Sequence, residues 1–308
     1  MNWDFKPVEI SDKPLIDSYS IRYGENSCQH SFVSMYGHFG KYGDSFFEKD
    51  GWLYLCRTHL KRTGEKVYLC PLGNPNDKRG FAKALENVLA DAASEGKRAV
   101  FETVTAKARE RMEKAMPGRF KFTYSRDFSE YVYSRDKLVK LSGVAMAKKR
   151  YQYNSFQRKY EGRIRVEHIN ERLLPEILDF QSSWMFERMQ EGDAPELMEE
   201  NEAIQREIGE FTNLALSGII IRIDGNIVGY AYGAALSDEC FDVLVGKGDR
   251  KVDHIYRALN RKLPESCARR FRCFNWEEDL GDTGLRQMKM DYHPDVLMEK
   301  YIARENYE

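Results

Sequence analysis

The stretch GIIIRIDGNIVGYAYGAAL, residues 218–236, constrains the fold of this chain more than any other. Two apolar runs flank Asp224, Gly225 and Asn226. Asp-Gly is a turn pair that short β-hairpins favour. Another strand-like run, ECFDVLVGKG, follows at 239–248. This part of the sequence therefore predicts a hairpin that continues into a third consecutive strand.

Helices and strands alternate around the hairpin. Apolar residues at helical spacing predict helices, and short apolar runs bounded by turn residues predict strands. The predicted helices cover 76–96, 105–118, 142–160, 171–189, 195–216 and 250–263. The predicted strands cover 51–60, 66–73, 98–104, 163–169 and 270–276, with two more inside 120–134. Gly96 is placed to stop the first of these helices.

The length of the chain, 308 residues, exceeds what most single hydrophobic cores hold, so two domains are expected. The second half orders as helix, strand, two helices, three strands, helix, strand and helix. The first half has a looser version of the same content. We therefore expect two similar α/β (mixed α+β) domains, 1–140 and 141–308, each with strands and helices.

The composition is that of a folded protein. Hydrophobic residues make up 42% of the chain and charged residues 31%, which excludes a disordered class. The net charge is −1, so no global charge drives the chain onto nucleic acid or lipid. No apolar run approaches the roughly 18 residues of a membrane span. The N-terminus lacks the regions of a signal peptide. We expect a cytoplasmic protein without a transmembrane segment.

Motifs for metal, nucleotide and nucleophile chemistry are absent. None of the six cysteines forms a CxxC pair, and Cys56 and Cys70 lie in strand-like runs, so both are expected to be reduced and buried. Cys28 and His30 lack a second ligand pair, so no metal is expected. No phosphate loop, GxSxG elbow or HExxH motif occurs. An enzyme of this sequence would work through orientation, backbone polarisation and placed charge.

Charge is distributed unevenly. The segment Lys137–Arg165 has nine bases and one acid, whereas Glu187–Glu210 has nine acids and two arginines. One interpretation is two solvated faces that pair with each other, at about 0–1 kcal/mol for each exposed pair. The other is a phosphate-binding face, because cations there alternate with aromatic side chains that stack on bases. The residues concerned are Lys148, Lys149, Arg150, Tyr151, Tyr153 and Phe156.

The C-terminal stretch EEDLGDTGLRQMKMDYHP, residues 277–294, predicts a short helix with an anion site at its start. Asp282 or Thr283 can cap the helix. Arg286 and Lys289 share a face one turn further on, where the helix dipole also favours an anion. The glycines that would let the backbone approach a ligand are Gly281 and Gly284. The acids before them, which could hold an amine, are Glu277, Glu278 and Asp279. A capped helix that only covers the sheet edge is the alternative.

This stretch resembles the C-terminal signature of the bacterial family related to the C-terminal catalytic domain of phosphatidylglycerol lysyltransferase. The matching residues are Asp279, Leu280, Gly281, Gly284, Leu285, Arg286, Lys289, Tyr292, His293 and Pro294. Upstream, the matching residues are Leu141, Ser142, Gly143, Lys148, Lys149, Arg150, Asn154 and Phe156. The resemblance covers nearly the whole chain. It implies two tandem acyltransferase-like domains of the N-acetyltransferase (GNAT-like) fold, each a mixed sheet flanked by helices.

The resemblance also implies kinship with enzymes that move an aminoacyl group from aminoacyl-tRNA to a lipid or peptidoglycan amine or hydroxyl. One departure follows the CFDVLV run, where the family often has Glu-Lys and this chain has Gly246-Lys247. The glycine motif with which ordinary acetyl-CoA users hold pyrophosphate is also missing there. This weakens the interpretation as an acetyl-CoA enzyme.

From the residues and the resemblance together, we expect an acyltransferase that uses aminoacyl-tRNA. The strands 227–236 and 240–246 would splay to admit the acyl group. Asp279 would hold the α-ammonium group, Arg286 and Lys289 the phosphates of the donor or an anionic acceptor, and His293 or Tyr292 would relay a proton. The expected catalytic residues are Asp279, Arg286 and His293. The expected substrate-binding residues are Lys148, Lys149, Arg150, Asn154, Lys247, Gly281, Gly284, Lys289 and Tyr292.

No tightly bound cofactor is expected, since aminoacyl-tRNA or acyl-CoA would enter as a co-substrate. The expected partners are tRNA and a small-molecule, peptide or lipid acceptor. Two alternatives share the fold. One is an N-acyltransferase that uses acyl-CoA. The other is a non-catalytic module that binds RNA or another ligand through the basic segment.

Overall fold

The computed structural model describes residues 3–60, 66–190 and 194–306, without the side chains of 194–196. The chain forms two compact units. The first unit contains the residues up to Glu130, the segment Glu278–Arg286 and the residues from Leu297 onward. The second unit contains Tyr131–Glu277 and Gln287–Val296. The domains 1–140 and 141–308 stay a prediction. The compact units differ from them because two C-terminal segments pack with the first unit.

Strands and helices alternate along the described chain. The strands are β1 (Lys6–Pro7), β2 (Ser45–Lys49), β3 (Trp52–Arg57), β4 (Val67–Tyr68), β5 (Val100–Thr105), β6 (Phe120–Tyr124), β7 (Glu130–Ser134), β8 (Ile164–His168), β9 (Ser217–Ile223), β10 (Asn226–Ala235), β11 (Cys240–Gly248), β12 (Cys273–Asn275), β13 (Val296–Met298) and β14 (Lys300–Glu305). The helices are α1 (Lys13–Tyr23), α2 (Phe32–Gly37), α3 (Phe39–Tyr42), α4 (Lys78–Ser94), α5 (Ala106–Ala115), α6 (Arg135–Lys140), α7 (Ala147–Lys159), α8 (Leu174–Met189), α9 (Ala194–Gly209), α10 (Ile255–Ser266) and α11 (Thr283–Met290).

The sheet of the first unit has seven strands in the order β1-β2-β3-β4-β5-β14-β6. The last strand of the chain completes it, because β14 pairs antiparallel with both β5 and β6. Helices α4 and α5 cover this sheet with a core that includes Trp52, Phe81, Leu85, Phe101 and Met112. Burying such side chains stabilises the fold by about 1.5–3 kcal/mol each. The C-terminal strand therefore belongs to the core of the first unit.

The second sheet also has seven strands, in the order β13-β7-β12-β11-β10-β9-β8. Helix α10 packs on one face, where a Cβ placed on Gly229 would lie 3.1 Å from Ile255. Helix α8 packs on the other face, where the hydroxyl of Tyr230 donates to Gln181 at 2.7 Å. Neighbouring strand residues point to opposite faces, which is why positions 229 and 230 contact different helices. A mixed sheet flanked by helices, as predicted, is therefore confirmed for this unit.

The predicted hairpin at 218–236 is confirmed. β9 and β10 pair antiparallel, with Ile223 opposite Asn226. Asp224 and Gly225 have φ of 52° and 86°. Positive φ at both central residues is what a type I′ turn requires. Further along, β10 bulges at Gly233, where a Cβ would lie 1.7 Å from the carbonyl oxygen of Asp242. Only glycine fits at that contact with β11.

Helix α4 ends as predicted, since Gly96 follows it with a φ of 68°. The predicted helix start at Ser142 is wrong, because α7 begins at Ala147. Leu141 and Gly143 have φ of 47° and 83°, a left-handed backbone that interrupts any helix before Ala147. The turn between the predicted strands 51–60 and 66–73 lies mostly outside the described residues.

Two acids of the segment Glu187–Glu210 pair with lysines elsewhere in the second unit. Glu187 and Glu200 lie 2.6 Å from Lys251 and Lys247, so their partners come from outside the predicted basic segment. Two of its acids, Glu191 and Asp193, lie outside the described residues. In the part of the chain that the structure describes, no helix is both long enough and apolar enough to cross a membrane.

Candidate functional site

In the first unit, Asp279 is fully buried and holds Arg286. The Nη2 of Arg286 donates to Oδ1 of Asp279 at 2.6 Å, and its Nε donates to Oδ2 at 3.0 Å. The turn between them is local, since the N–H of Gly281 donates to Oδ1 of Asp279 at 2.9 Å. Asp282 caps α11, accepting from the N–H of Leu285 at 2.8 Å, as predicted. The residues 279–286 thus form a rigid carboxylate-guanidinium corner.

Two residues that the sequence patterns did not indicate complete this corner. Arg126 donates to Oδ2 of Asp279 at 3.2 Å, and Asp127 accepts from Arg286 at 2.6 Å. Hydrogen bonds to both carboxylates raise the pKa of Arg286 above its ordinary value, so it stays charged. Asp279 thus faces cations that the chain itself supplies, and its role as a ligand of an α-ammonium group stays a prediction.

The two glycines of the corner differ. Gly281 has a φ of 87°, a left-handed conformation that favours glycine. Gly284 is exposed, and a Cβ there would meet only the Asp282 carboxylate, at 3.3 Å. The geometry therefore requires glycine at 281 for the turn. Close backbone approach of a ligand at either position stays a prediction.

In the second unit, Tyr292 is the centre of an aromatic cluster. Its ring lies 4.9 Å from that of Trp276 and 6.4 Å from that of Tyr133, measured between centroids. Its hydroxyl accepts hydrogen bonds from Arg257 at 3.1 Å and Asn260 at 3.3 Å. These donors lie three residues apart on one face of α10, a spacing visible in the sequence. The Tyr292 hydroxyl is therefore fixed by two donors.

Two of the predicted substrate-binding lysines belong to this cluster. Lys149 is 4% exposed, and its Nζ lies 3.0 Å from Asp291 and 5.4 Å from the centroid of the Tyr292 ring. Lys289 is 6% exposed, and its Nζ donates to the carbonyl of Trp276. Both ammonium groups thus bind acceptors of the protein itself, a carboxylate for Lys149 and a backbone carbonyl for Lys289. Their contact with phosphate stays a prediction.

His293 lies exposed at the end of α11, with a φ of 51°. Its carbonyl accepts a hydrogen bond from Lys137, which also pairs with Asp295 at 2.6 Å. The backbone at His293 is therefore tied to α6. Proton relay by the imidazole stays a prediction.

The residues of the basic segment that lie in α7 are divided between an exposed face and a buried face of the helix. Its solvent face, at helical spacing, consists of Lys148, Tyr151, Asn154 and Arg158, all exposed. Tyr151 is 65% exposed, whereas Tyr153 and Phe156 are 6% and 1% exposed and pack inward. Arg150 ties the helix start to the carbonyls of Leu141 and Gly143. Of the six residues predicted to form a face of alternating cations and aromatic rings, Lys148 and Tyr151 are exposed.

Lys247 lies away from α7, on the sheet face that α8 covers. Its Nζ is 2.6 Å from Glu200 and 4.3 Å from the centroid of the Trp184 ring. It is 7% exposed and stands opposite Tyr230 in the ladder between β10 and β11. An ammonium group over an indole and beside a carboxylate is well satisfied. Its contact with substrate stays a prediction.

A buried acid, Glu207, lies on the same sheet face. The hydroxyl of Tyr232 donates to Glu207 at 2.7 Å, and Glu207 is 2% exposed. Burial, with a smaller contribution from the charge of Glu200, raises the pKa of Glu207 to about 8, although the hydrogen bond from Tyr232 acts to lower it. The carboxyl is therefore largely protonated near neutral pH. The sequence gave no signal for this residue beyond its place in an acidic helix.

The expected splay between 227–236 and 240–246 is wrong. β10 and β11 pair from Gly229 opposite Gly248 to Ala235 opposite Phe241, with one bulge at Gly233, so the two strands stay together over this range. β11 instead leaves its parallel neighbour β12 after Asp242, which is opposite Asn275. In the described chain, β12 ends at Asn275 while β11 continues to Gly248. The parallel ladder therefore ends six residues before β11 does.

Among the described residues, Cys28, Glu130 and Glu278 bring candidate metal-ligand atoms within 4.8 Å of one another. These atoms already have protein partners, since Lys300 bonds Glu130 and Gln29 bonds Glu278 at 2.8 Å. The chain therefore supplies hydrogen-bond donors to two of the three candidate ligand residues. The six cysteines form no disulfide, and Cys56 and Cys70 are reduced and buried, as predicted.

The structure groups nine of the twelve predicted site residues into four places, apart from Arg150, Gly284 and His293. Asp279, Gly281 and Arg286 form the corner of the first unit. The second unit holds the other three groups: the Tyr292 cluster with Lys149 and Lys289, the exposed face of α7 with Lys148 and Asn154, and Lys247 beside α8.

Comparison with known proteins gives a family and a fold. The family described as phosphatidylglycerol lysyltransferase, C-terminal, matches residues 22–304. Among curated protein sequences, none matches significantly. A conserved protein of unknown function from Bacteroides thetaiotaomicron is 27% identical, with a TM-score of 0.91 over 98% of this chain and 99% of that one.

Two further structures share the fold. L-PGS from Bacillus licheniformis is 16% identical, with a TM-score of 0.65 over 98% of this chain and 94% of that one. A tandem GNAT protein from the clavulanic acid biosynthesis pathway is 10% identical, with a TM-score of 0.50 and 98% of both chains covered. The expected architecture of two tandem GNAT-like domains is thereby confirmed.

Proposed function

Because the chain belongs to the phosphatidylglycerol lysyltransferase C-terminal family, matched over residues 22–304, we propose that it is an aminoacyltransferase. It moves an aminoacyl group from aminoacyl-tRNA to a lipid, peptide or small-molecule acceptor. Acyl transfer is the chemistry of the family and of the GNAT-like fold. The observation that favours aminoacyl-tRNA as the donor is the exposed face of α7.

The solvent face of α7 suits RNA. Lys148 and Arg158 place a cation at each end of Tyr151 and Asn154, and all four side chains are exposed. Cations track the phosphates, and an exposed tyrosine ring stacks on an unpaired base at about 1–3 kcal/mol. Lys148 and Arg158 have no carboxylate partner among the described residues. The face is therefore free to neutralise phosphates.

The proposed acyl-transfer step places the donor in an opening beside residues 243–248 of β11, where the ladder with β12 has ended. Backbone N–H groups of residues 243–248 that face this opening can polarise the ester carbonyl of the donor. The acceptor oxygen or nitrogen attacks that carbonyl and loses its proton. The ester bond to the terminal ribose of the tRNA breaks, and the ribose oxygen takes up the proton. Catalysis then rests on orientation and on fixed dipoles.

The test is transfer of labelled amino acids from a mixture of charged tRNAs into lipid, peptide and amine acceptors. Label that moves into one acceptor class only when the protein is present supports the proposal. Arg286→Ala and Lys289→Ala are assayed beside the parent, with folding checked by circular dichroism. Transfer from none of the charged tRNAs would refute the proposed donor. Variants that transfer as the parent does would remove both residues from the site.

The GNAT-like fold keeps an acyl-CoA donor as the second candidate. The segment between β11 and α10 would then hold pyrophosphate. It contains Asp249 and Asp253 just before the helix start, where the dipole favours anions and two carboxylates compete for it. A thermal shift screen with acetyl-CoA and longer acyl-CoAs tests this donor. We expect no shift, and a shift with transfer from acyl-CoA would replace the tRNA proposal.

A further inference from the structure

The guanidinium of Arg135, the first residue of α6, binds the end of α10 at four backbone carbonyls. Its Nη1 donates to Ala268 at 2.9 Å and to Phe271 at 3.4 Å. Its Nη2 donates to Glu265 at 3.2 Å and to Cys267 at 2.9 Å. Carbonyls at a helix C-terminus lack partners inside the helix, and a cation there is favourable. The segment 267–272 is thereby held in one conformation.

The braced segment presents cations to solvent. Arg269, Arg270 and Arg272 are exposed, whereas Phe271 is 4% exposed and anchors the segment inward. Arg272 lies 3.6 Å from Glu239. In the described parts of the chain, Arg269 and Arg270 have no carboxylate partner. Two neighbouring cations on a fixed backbone repel each other until an anion binds.

This segment lies at the same end of the second unit as the start of α7. The two helices run antiparallel, since Lys159 near the end of α7 pairs with Asp253 just before α10. Halfway along, the guanidinium carbon of Arg261 lies 4.2 Å from the centroid of the Tyr153 ring. The start of α7, with Lys148, therefore lies toward the end of α10. Arg269 and Arg270, which follow α10, lie toward this same end of the second unit.

We propose that Arg269 and Arg270, with Lys148, form a second phosphate-binding surface that docks the backbone of a folded RNA. The proposal rests on the proposed function for the identity of that RNA. Phe271 is buried, so the segment 267–272 offers a membrane no large apolar side chain to insert. Arg135 is a positioning residue, since its planar fork fixes the backbone that carries both arginines.

The test is binding of uncharged tRNA at salt concentrations from 50 to 300 mM. Arg269→Gln/Arg270→Gln is compared with the control Arg165→Gln/Arg172→Gln, which removes two exposed arginines from β8 and the segment before α8. Each phosphate contact contributes roughly 0.7–0.9 to the slope of log K against log salt. We expect the slope to fall by about 1.4–1.8 and binding at 150 mM to weaken roughly tenfold or more. The control should change neither quantity.

Arg135→Gln separates positioning from direct contact. It should weaken binding, and Arg135→Lys should not restore it, because an ammonium group cannot donate to four carbonyls in one plane. Circular dichroism and thermal unfolding show whether these variants fold. Equal slopes for the Arg269→Gln/Arg270→Gln variant and the control would overturn the proposal, even where the parent transfers aminoacyl groups.

Two more outcomes distinguish the proposals. A lower slope without any transfer by the parent would leave the RNA surface standing and refute the proposed function. Binding to phosphatidylglycerol vesicles that depends on Arg269 and Arg270, with tRNA binding unchanged, would overturn RNA as the partner.

Discussion

Removing the partner of a buried carboxylate should destabilise the corner of the first unit. Asp279 is 0% exposed and accepts from both Arg286 and Arg126, whose side chains are 29% and 28% exposed. In the variant Arg286→Leu, the carboxylate keeps Arg126 and the N–H of Gly281 but loses two charge-assisted hydrogen bonds. The variant Asp127→Asn removes only a carboxylate that is 58% exposed.

The magnitudes follow from burial. Breaking a buried ion pair costs about 3–5 kcal/mol, and an exposed pair contributes about 0–1 kcal/mol. Because Arg126 remains and Arg286 is partly exposed, we expect Arg286→Leu to lower the free energy of unfolding by about 2–3 kcal/mol. Asp127→Asn should lower it by less than about 1 kcal/mol. Arg286→Lys should fall between them, since an ammonium group cannot bind both oxygens in one plane.

Urea unfolding at pH 7, followed by circular dichroism, measures these differences between variants. The order expected is Asp127→Asn, then Arg286→Lys, then Arg286→Leu, from least to most destabilised. Equal losses for Asp127→Asn and Arg286→Leu would show that burial of Asp279 does not set the energy. A stable Arg286→Leu variant that has lost only transfer would instead make Arg286 a substrate ligand.

Two further predictions concern buried acids. The folded-state pKa of Glu207 is raised from 4.5 to about 8, so the folded protein binds this proton more tightly and stability falls as pH rises between these values. Glu207→Gln keeps an acceptor for Tyr232 but has no proton to lose. Its free energy of unfolding relative to the parent should therefore rise by roughly a few kcal/mol between pH 5 and pH 8. Equal pH slopes for the two proteins in denaturant titrations would contradict this. Lys300 and Glu130 are both 0% exposed, so Lys300→Met should cost about 3–5 kcal/mol. Lys300→Met/Glu130→Gln should cost less, and a double variant as unstable as the single one would argue against a buried uncompensated charge.

Local signals predicted most secondary structure correctly. The hairpin follows from Asp224 and Gly225, because the turn needs positive φ at two adjacent positions and these residues accept it. The end of α4 follows from Gly96 for the same reason. Asp282 capped α11 as its spacing indicated. Each of these features depends on a few neighbouring residues.

Long-range pairing could not be predicted in the same way. Arg126 and Asp279 are separated by 153 positions, and no local pattern links them. The return of β14 into the first sheet also depends on pairing across most of the chain. The expected splay was wrong because β10 and β11 stay paired, and the sequence does not show where the parallel pair of β11 and β12 ends.

The basic segment shows how counting charges differs from locating them. Lys148 and Lys149 are adjacent, yet one is exposed and the other is 4% exposed beside Asp291. Successive residues of a helix point about 100° apart, so a helical projection separates the two. It could not show that Arg269 and Arg270 lie toward the same end of the second unit as Lys148. That depends on the antiparallel packing of α7 and α10.

The proposed function requires the second unit to bind an RNA donor through the exposed face of α7. The most direct measurement is the rate of transfer from a charged tRNA at varied concentration. Lys148→Glu/Arg158→Glu is compared with Arg165→Glu/Arg172→Glu, which changes the same number of exposed cations elsewhere in the unit. We predict a KM for charged tRNA that rises roughly tenfold or more in the first variant, with the control at the parent value. Equal KM values in the two variants, or transfer from acyl-CoA alone, would contradict the account.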